Sequence, residues 1–66
     1  MTLGDPVEVN KVWAGGTLVP LKRWFGGYAF VSFSLKTSTI IVEHTEGMFR
    51  GVHVSFPACD VRRAGQ

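Results

Sequence analysis

Tyr28-Ala29-Phe30-Val31-Ser32-Phe33-Ser34, followed after a polar break by Thr39-Ile40-Ile41-Val42-Glu43, is the stretch whose reading decides the fold class. Both runs are rich in aromatic and β-branched residues, which suit a pleated, half-buried surface. Neither has the three- and four-residue spacing of a helix, so each reads as a strand. Lys36-Thr37-Ser38 between them is polar and turn-like.

Toward the N-terminus, Gly26-Gly27 is expected to make a turn. Before it, Thr17 to Trp24 is an extended segment whose Pro20 argues for an edge position or a bulge, because proline cannot donate to a ladder. Ala14-Gly15-Gly16 breaks the chain again, and Val7-Glu8-Val9-Asn10 alternates apolar and polar as a half-buried strand does. Toward the C-terminus, His44-Thr45-Glu46-Gly47 reads as a hairpin turn. Phe49 to Phe56 alternates, with Val52, Val54 and Phe56 on one face. Pro57-Ala58-Cys59-Asp60 suits a single 3₁₀ turn, and Val61-Arg62-Arg63 a short last strand.

The 66 residues allow one domain, residues 1–66, and a thin core. Five short strands are too few for a sandwich, and a flat sheet would leave its apolar face in water. The expected fold is therefore all-β: a small five-stranded SH3-like barrel with a short 3₁₀ turn before the last strand. An OB-type barrel is the second choice, and it usually needs more residues and a helix.

Composition excludes several classes of function. One cysteine, Cys59, permits no internal disulfide, and no Cys-x-x-Cys pair or Cys/His cluster points to zinc. Two histidines, His44 and His53, are too few for a metal site without carboxylate help. No metal or cofactor is expected. No P-loop or Gly-x-Ser-x-Gly elbow is present. The nearest catalytic cluster, Glu43, His44 and Glu46, falls in a solvated turn, so the module is expected not to be an enzyme. Cys59 is expected to be buried and structural, as free cysteines usually are. No apolar run reaches the ~18 residues of a membrane span. The N-terminus lacks a signal peptide's basic start and apolar stretch, so an intracellular setting, cytoplasmic or nuclear, is expected. The net charge of +2 permits a polyanion partner without requiring one.

Trp24-Phe25-Gly26-Gly27-Tyr28 resembles the Trp-x-Gly-Pro-Tyr/Phe signature of the C-terminal domain of retroviral and retrotransposon integrases. Gly4-Asp5-Pro6-Val7-Glu8-Val9 resembles that domain's opening strand, Val12-Trp13 with Gly16-Thr17-Leu18 and Pro20-Leu21 the segment before the signature, and Thr37 to Glu43 its threonine-rich turn and next strand. Val52-His53-Val54-Ser55 and Val61-Arg62-Arg63-Ala64 resemble its later segments. Gly27 stands where the signature has proline, Arg50-Gly51 where tryptophan is frequent, and Phe56 to Cys59 reads as extra residues. The resemblance implies a non-catalytic module that binds DNA without strong sequence preference and helps assemble a larger complex. The early Gly-Asp-x-Val-Glu-Val and late Val61-Arg62 also resemble Tudor and Agenet chromatin modules. A fainter likeness of Phe56-Pro57-Ala58 and Val61-x-Arg63 to plasmid-borne type II dihydrofolate reductases lacks their Val-Gln-Ile-Tyr pore motif, and that activity is set aside.

Three modes of binding follow. Lys22, Arg23, Lys36, Arg50, Arg62 and Arg63 are candidate phosphate contacts, which supply affinity by releasing counterions. Trp24 and Tyr28 lie near Lys22 and Arg23 and are candidate stacking groups. Trp13, Trp24 and Tyr28, with Phe25 and Phe30, are alternatively walls of an aromatic cage for a cationic side chain of a protein partner. Against both stands the need of so short a chain for large side chains in its core. The apolar run from Ala29 to Val42 would also suit a homo-oligomer interface.

Overall fold

The computed structural model describes residues 1–65. Five strands form one antiparallel sheet: β1 (Pro6–Ala14), β2 (Thr17–Ser34), β3 (Thr39–His44), β4 (His53–Pro57) and β5 (Val61–Arg63), in the order β4-β3-β2-β1-β5. A 3₁₀ turn, Ala58–Asp60, precedes β5 as the sequence suggests. The all-β class and the five strands agree with expectation. The ladder is open, however, with β4 and β5 as its edges.

The strands differ in extent from the sequence reading. Gly26-Gly27 does not turn the chain. β2 runs through both glycines as one strand of 18 residues. Its first part pairs with the distal half of β1, and Tyr28 to Ser34 pair with β3. The glycines and Pro20 serve a bend instead. Val9 pairs with Phe25 and Lys11 with Pro20, so two steps along β1 oppose five along β2. A further irregularity separates Val7 from Val9. Extra residues on one strand coil a sheet, and Gly27 with φ +94° supplies a conformation that side chains disfavour. Pro20 borders the irregularity, where a missing donor is tolerated. The turn at Gly15-Gly16 has positive φ at both residues, as a two-residue hairpin of matching twist requires.

β4 is shorter than expected, because Phe49 to Gly51 belong to a turn. Gly47 and Gly51 both have positive φ, Arg50 N–H donates to Gly47 O and Val52 N–H to Phe49 O. The connection after β3 is thus a compact loop, and it lifts Phe49 and Val52 off the core.

Val7, Val9, Ile40, Val42, Phe56 and Val61 make the core. They come from four strands, with Leu18, Tyr28, Phe30, Val54 and Ala58 packed around them. Val54 and Phe56 face inward as expected, but Val52 is exposed. Cys59 is exposed rather than buried. The 3₁₀ turn directs Ala58 to the core and buries Asp60, whose carboxylate accepts a hydrogen bond from Lys11 Nζ at 2.9 Å. With Asp60 turned in and charge-compensated, Cys59 is left on the outside. The coiling also brings the end of β1 over β4: the Trp13 indole N–H donates to Ser55 O at 3.2 Å. These two strands are separated in the ladder by β2 and β3.

Candidate functional site

The coil leaves a seam between β4 and the distal end of β1, and a cleft of about 380 Å³ opens along it. Trp13 and Val12 form one wall from β1. His53, Val54 and Phe56 form the other from β4. Tyr28 and His44 lie between them, and the loop residues Phe49 and Val52 close the end. The volume falls within the range of small-ligand and side-chain sites.

Each wall has a local cause. Val12 and Trp13 lie on β1 beyond the irregular stretch of its ladder with β2, past the point where Val7 and Val9 are buried. Tyr28 pairs with His44 across the β2–β3 ladder, so their rings meet at a centroid distance of 4.8 Å. Tyr28 also contacts Phe56 edge-on at 5.9 Å, and His44 reaches Phe49 at 5.7 Å. Partial burial raises the Tyr28 pKa above its usual value, because the phenolate would lose hydration there. At the rim, His53 Nε2 lies 3.1 Å from Glu43 Oε1. This arrangement offers ring faces and edges to an apolar or cationic side chain. Trp13 is 47% exposed and Phe49 57%, so both rings are open to a ligand.

Of the aromatic residues singled out by sequence, the structure brings Trp13 and Tyr28 together and leaves Trp24 apart. The Arg62 guanidinium covers the Trp24 ring at 4.5 Å. Phe25 lies under Arg23 at 4.6 Å, and Phe30 packs on the core.

The six candidate phosphate contacts do not converge. Arg62 Nε is bound to Glu8 at 2.9 Å, and Arg63 lies 3.7 Å from Asp5. Among the described residues Lys22, Arg23, Lys36 and Arg50 form no ion pair. Lys22 and Arg23 are neighbours on β2. Lys36 sits in the β2–β3 turn and Arg50 in the β3–β4 loop, at opposite ends of β3. The six residues of β3 set these ends roughly 17 Å apart.

The sequence pattern does not mark His44, Phe49, Val12 and Val52 as binding residues. Phe49 carried a signal: a large aromatic between Gly47 and Gly51 belongs to a loop more readily than to a strand. Comparison of the chain with protein-family models, curated proteins and solved structures finds no match.

Proposed function

We propose that this chain is a non-catalytic protein-interaction module, an SH3-like barrel closed by side chains at its seam, whose aromatic cleft takes a short segment of a partner protein. The observation that carries the reading is the convergence of Trp13, Tyr28, His44 and Phe49 on one open cleft. A chain with so small a core has strong reason to bury its rings, yet Trp13 and Phe49 stay exposed on the same cleft. Exposed, clustered apolar surface of this kind marks interaction sites.

The test is selection of binders from a random peptide library displayed on phage, followed by calorimetry with the purified synthetic peptide. Phe49 lies in a loop and outside the core, so Phe49→Ala should leave folding intact. It should weaken binding by about tenfold or more, as truncation of an aromatic anchor does. Failure to select any peptide, or equal affinity of the variant, would overturn the reading.

A second reading is non-specific DNA binding, which the integrase-like sequence pattern implies. What favours it is that Lys22, Arg23, Lys36 and Arg50 are exposed and, among the described residues, form no ion pair, which leaves their charge available to phosphates.

A further inference from the structure

β4 is an edge strand, and the ladder shows which of its backbone groups are free. His44 N–H donates to Val52 O and Gly51 N–H to His44 O. Alternation along an antiparallel pair then turns the backbone groups of Val54 and Phe56 toward β3 and those of His53 and Ser55 away from it. Trp13 confirms that direction, because its indole N–H reaches Ser55 O from the outer side. No backbone group among the described residues pairs with His53 or Ser55 there. The usual protections of an edge are weak here: β4 has no lysine and no bulge against β3, and Pro57 guards only its last position.

Resting on the cleft reading above, we propose that the partner segment binds as an added strand on β4, with its backbone paired to His53 and Ser55 and alternate side chains in the aromatic cleft. The Trp13 indole N–H occupies the place of an incoming amide N–H at Ser55 O, and the segment displaces it. Side chains level with Val54 enter the cleft and are apolar or aromatic. Side chains level with His53 alternate with these and fall outside the cleft, past its rim, where the Glu43 carboxylate lies 3.1 Å from His53 Nε2. Glu43 pairs with His53 across the β3–β4 ladder, so its negative charge lies within two strand spacings, roughly 10 Å, of the new row and within reach of a long basic side chain. The complementary residue in the segment is lysine or arginine. The partner is therefore an extended segment alternating basic and apolar residues, added by main-chain pairing with side-chain selection.

The experiment uses the full chain and the tightest peptide selected from a random decamer library. N-methylation of single peptide amides should weaken binding about tenfold at alternate positions and by less than about twofold between them, because only alternate amides face β4. Replacing the peptide's basic residue by glutamate should weaken binding about tenfold, and Glu43→Lys should restore it. Trp13→Phe, which keeps a ring but removes the competing N–H, should tighten binding about threefold. Binding that needs Phe49 but ignores N-methylation would overturn strand addition and leave the cleft reading standing. Failure to select any peptide would overturn both. A dimer that forms with rising concentration and is dispersed by the peptide would place a second copy on the edge and overturn the partner assigned here.

Discussion

Tyr28 lines the cleft and packs against the core, and burial holds its pKa above the ordinary tyrosine value near 10. The folded state therefore keeps this proton at a pH at which the unfolded chain releases it. Stability from this group is intact below the unfolded value and is lost as pH rises through the folded value. The chain has one tyrosine, so absorbance at 295 nm reports it alone. The tyrosinate midpoint is expected above 10 in the native protein and near 10 in denaturant, with urea stability declining over that interval. Among the described residues Phe56 is the one buried aromatic ring of the core. Phe56→Ala should destabilise by about 3–5 kcal/mol. Marginal stability of about 3–10 kcal/mol is the expectation for a chain of this length, so urea denaturation should find the variant largely unfolded or close to it.

At the level of elements, Gly26 and Gly27 separate two roles of the same residue type. Gly27 has φ +94°, and a Cβ there would lie 3.2 Å from Glu46 Oε1. Gly26 has open space and no such backbone. Gly27→Ala should cost about 1–2 kcal/mol and Gly26→Ala under about 0.5 kcal/mol, measured by urea titration. Equal costs would mean that the bend does not depend on left-handed backbone at residue 27. The same pair shows how far the sequence could be read. Alternation in Val7 to Asn10 and the β-branched run Thr39 to Glu43 specify strands locally, and both are found as strands. Gly-Gly specifies only that the backbone can deviate. Whether it reverses or bends depends on β1, which is long enough to pair with β2 on both sides of the deviation. Likewise, alternation from Phe49 onward resembles a strand until Gly47 and Gly51 enter the left-handed region and fold the segment into a loop.

For the whole molecule, the binding candidates were legible as residue types but not as a site. Trp13 and Tyr28 line one cleft only because coiling carries the end of β1 to β4. Trp24, with the best sequence neighbourhood for stacking, is covered by Arg62 from β5, a contact that chain order does not reveal. The same placement limits nucleic-acid binding. Lys22 and Arg23 act from one strand, Arg62 and Arg63 are partly neutralised by Glu8 and Asp5, and Lys36 and Arg50 lie at opposite ends of β3. About three or fewer cations can then serve one stretch of backbone, which sets a log–log salt slope no steeper than about −3 on duplex DNA. We expect retention of DNA at low salt that is largely lost by physiological salt. Lys22 and Arg23 are consecutive on β2 and face opposite sides, so a Lys22→Ala/Arg23→Ala double variant should flatten the slope by about one, while peptide binding at the cleft stays unchanged. A slope of about −4 or steeper, with peptide and DNA competing for the protein, would mean that the dispersed cations act on one wrapped strand. Nucleic acid, not peptide, would then be the principal partner.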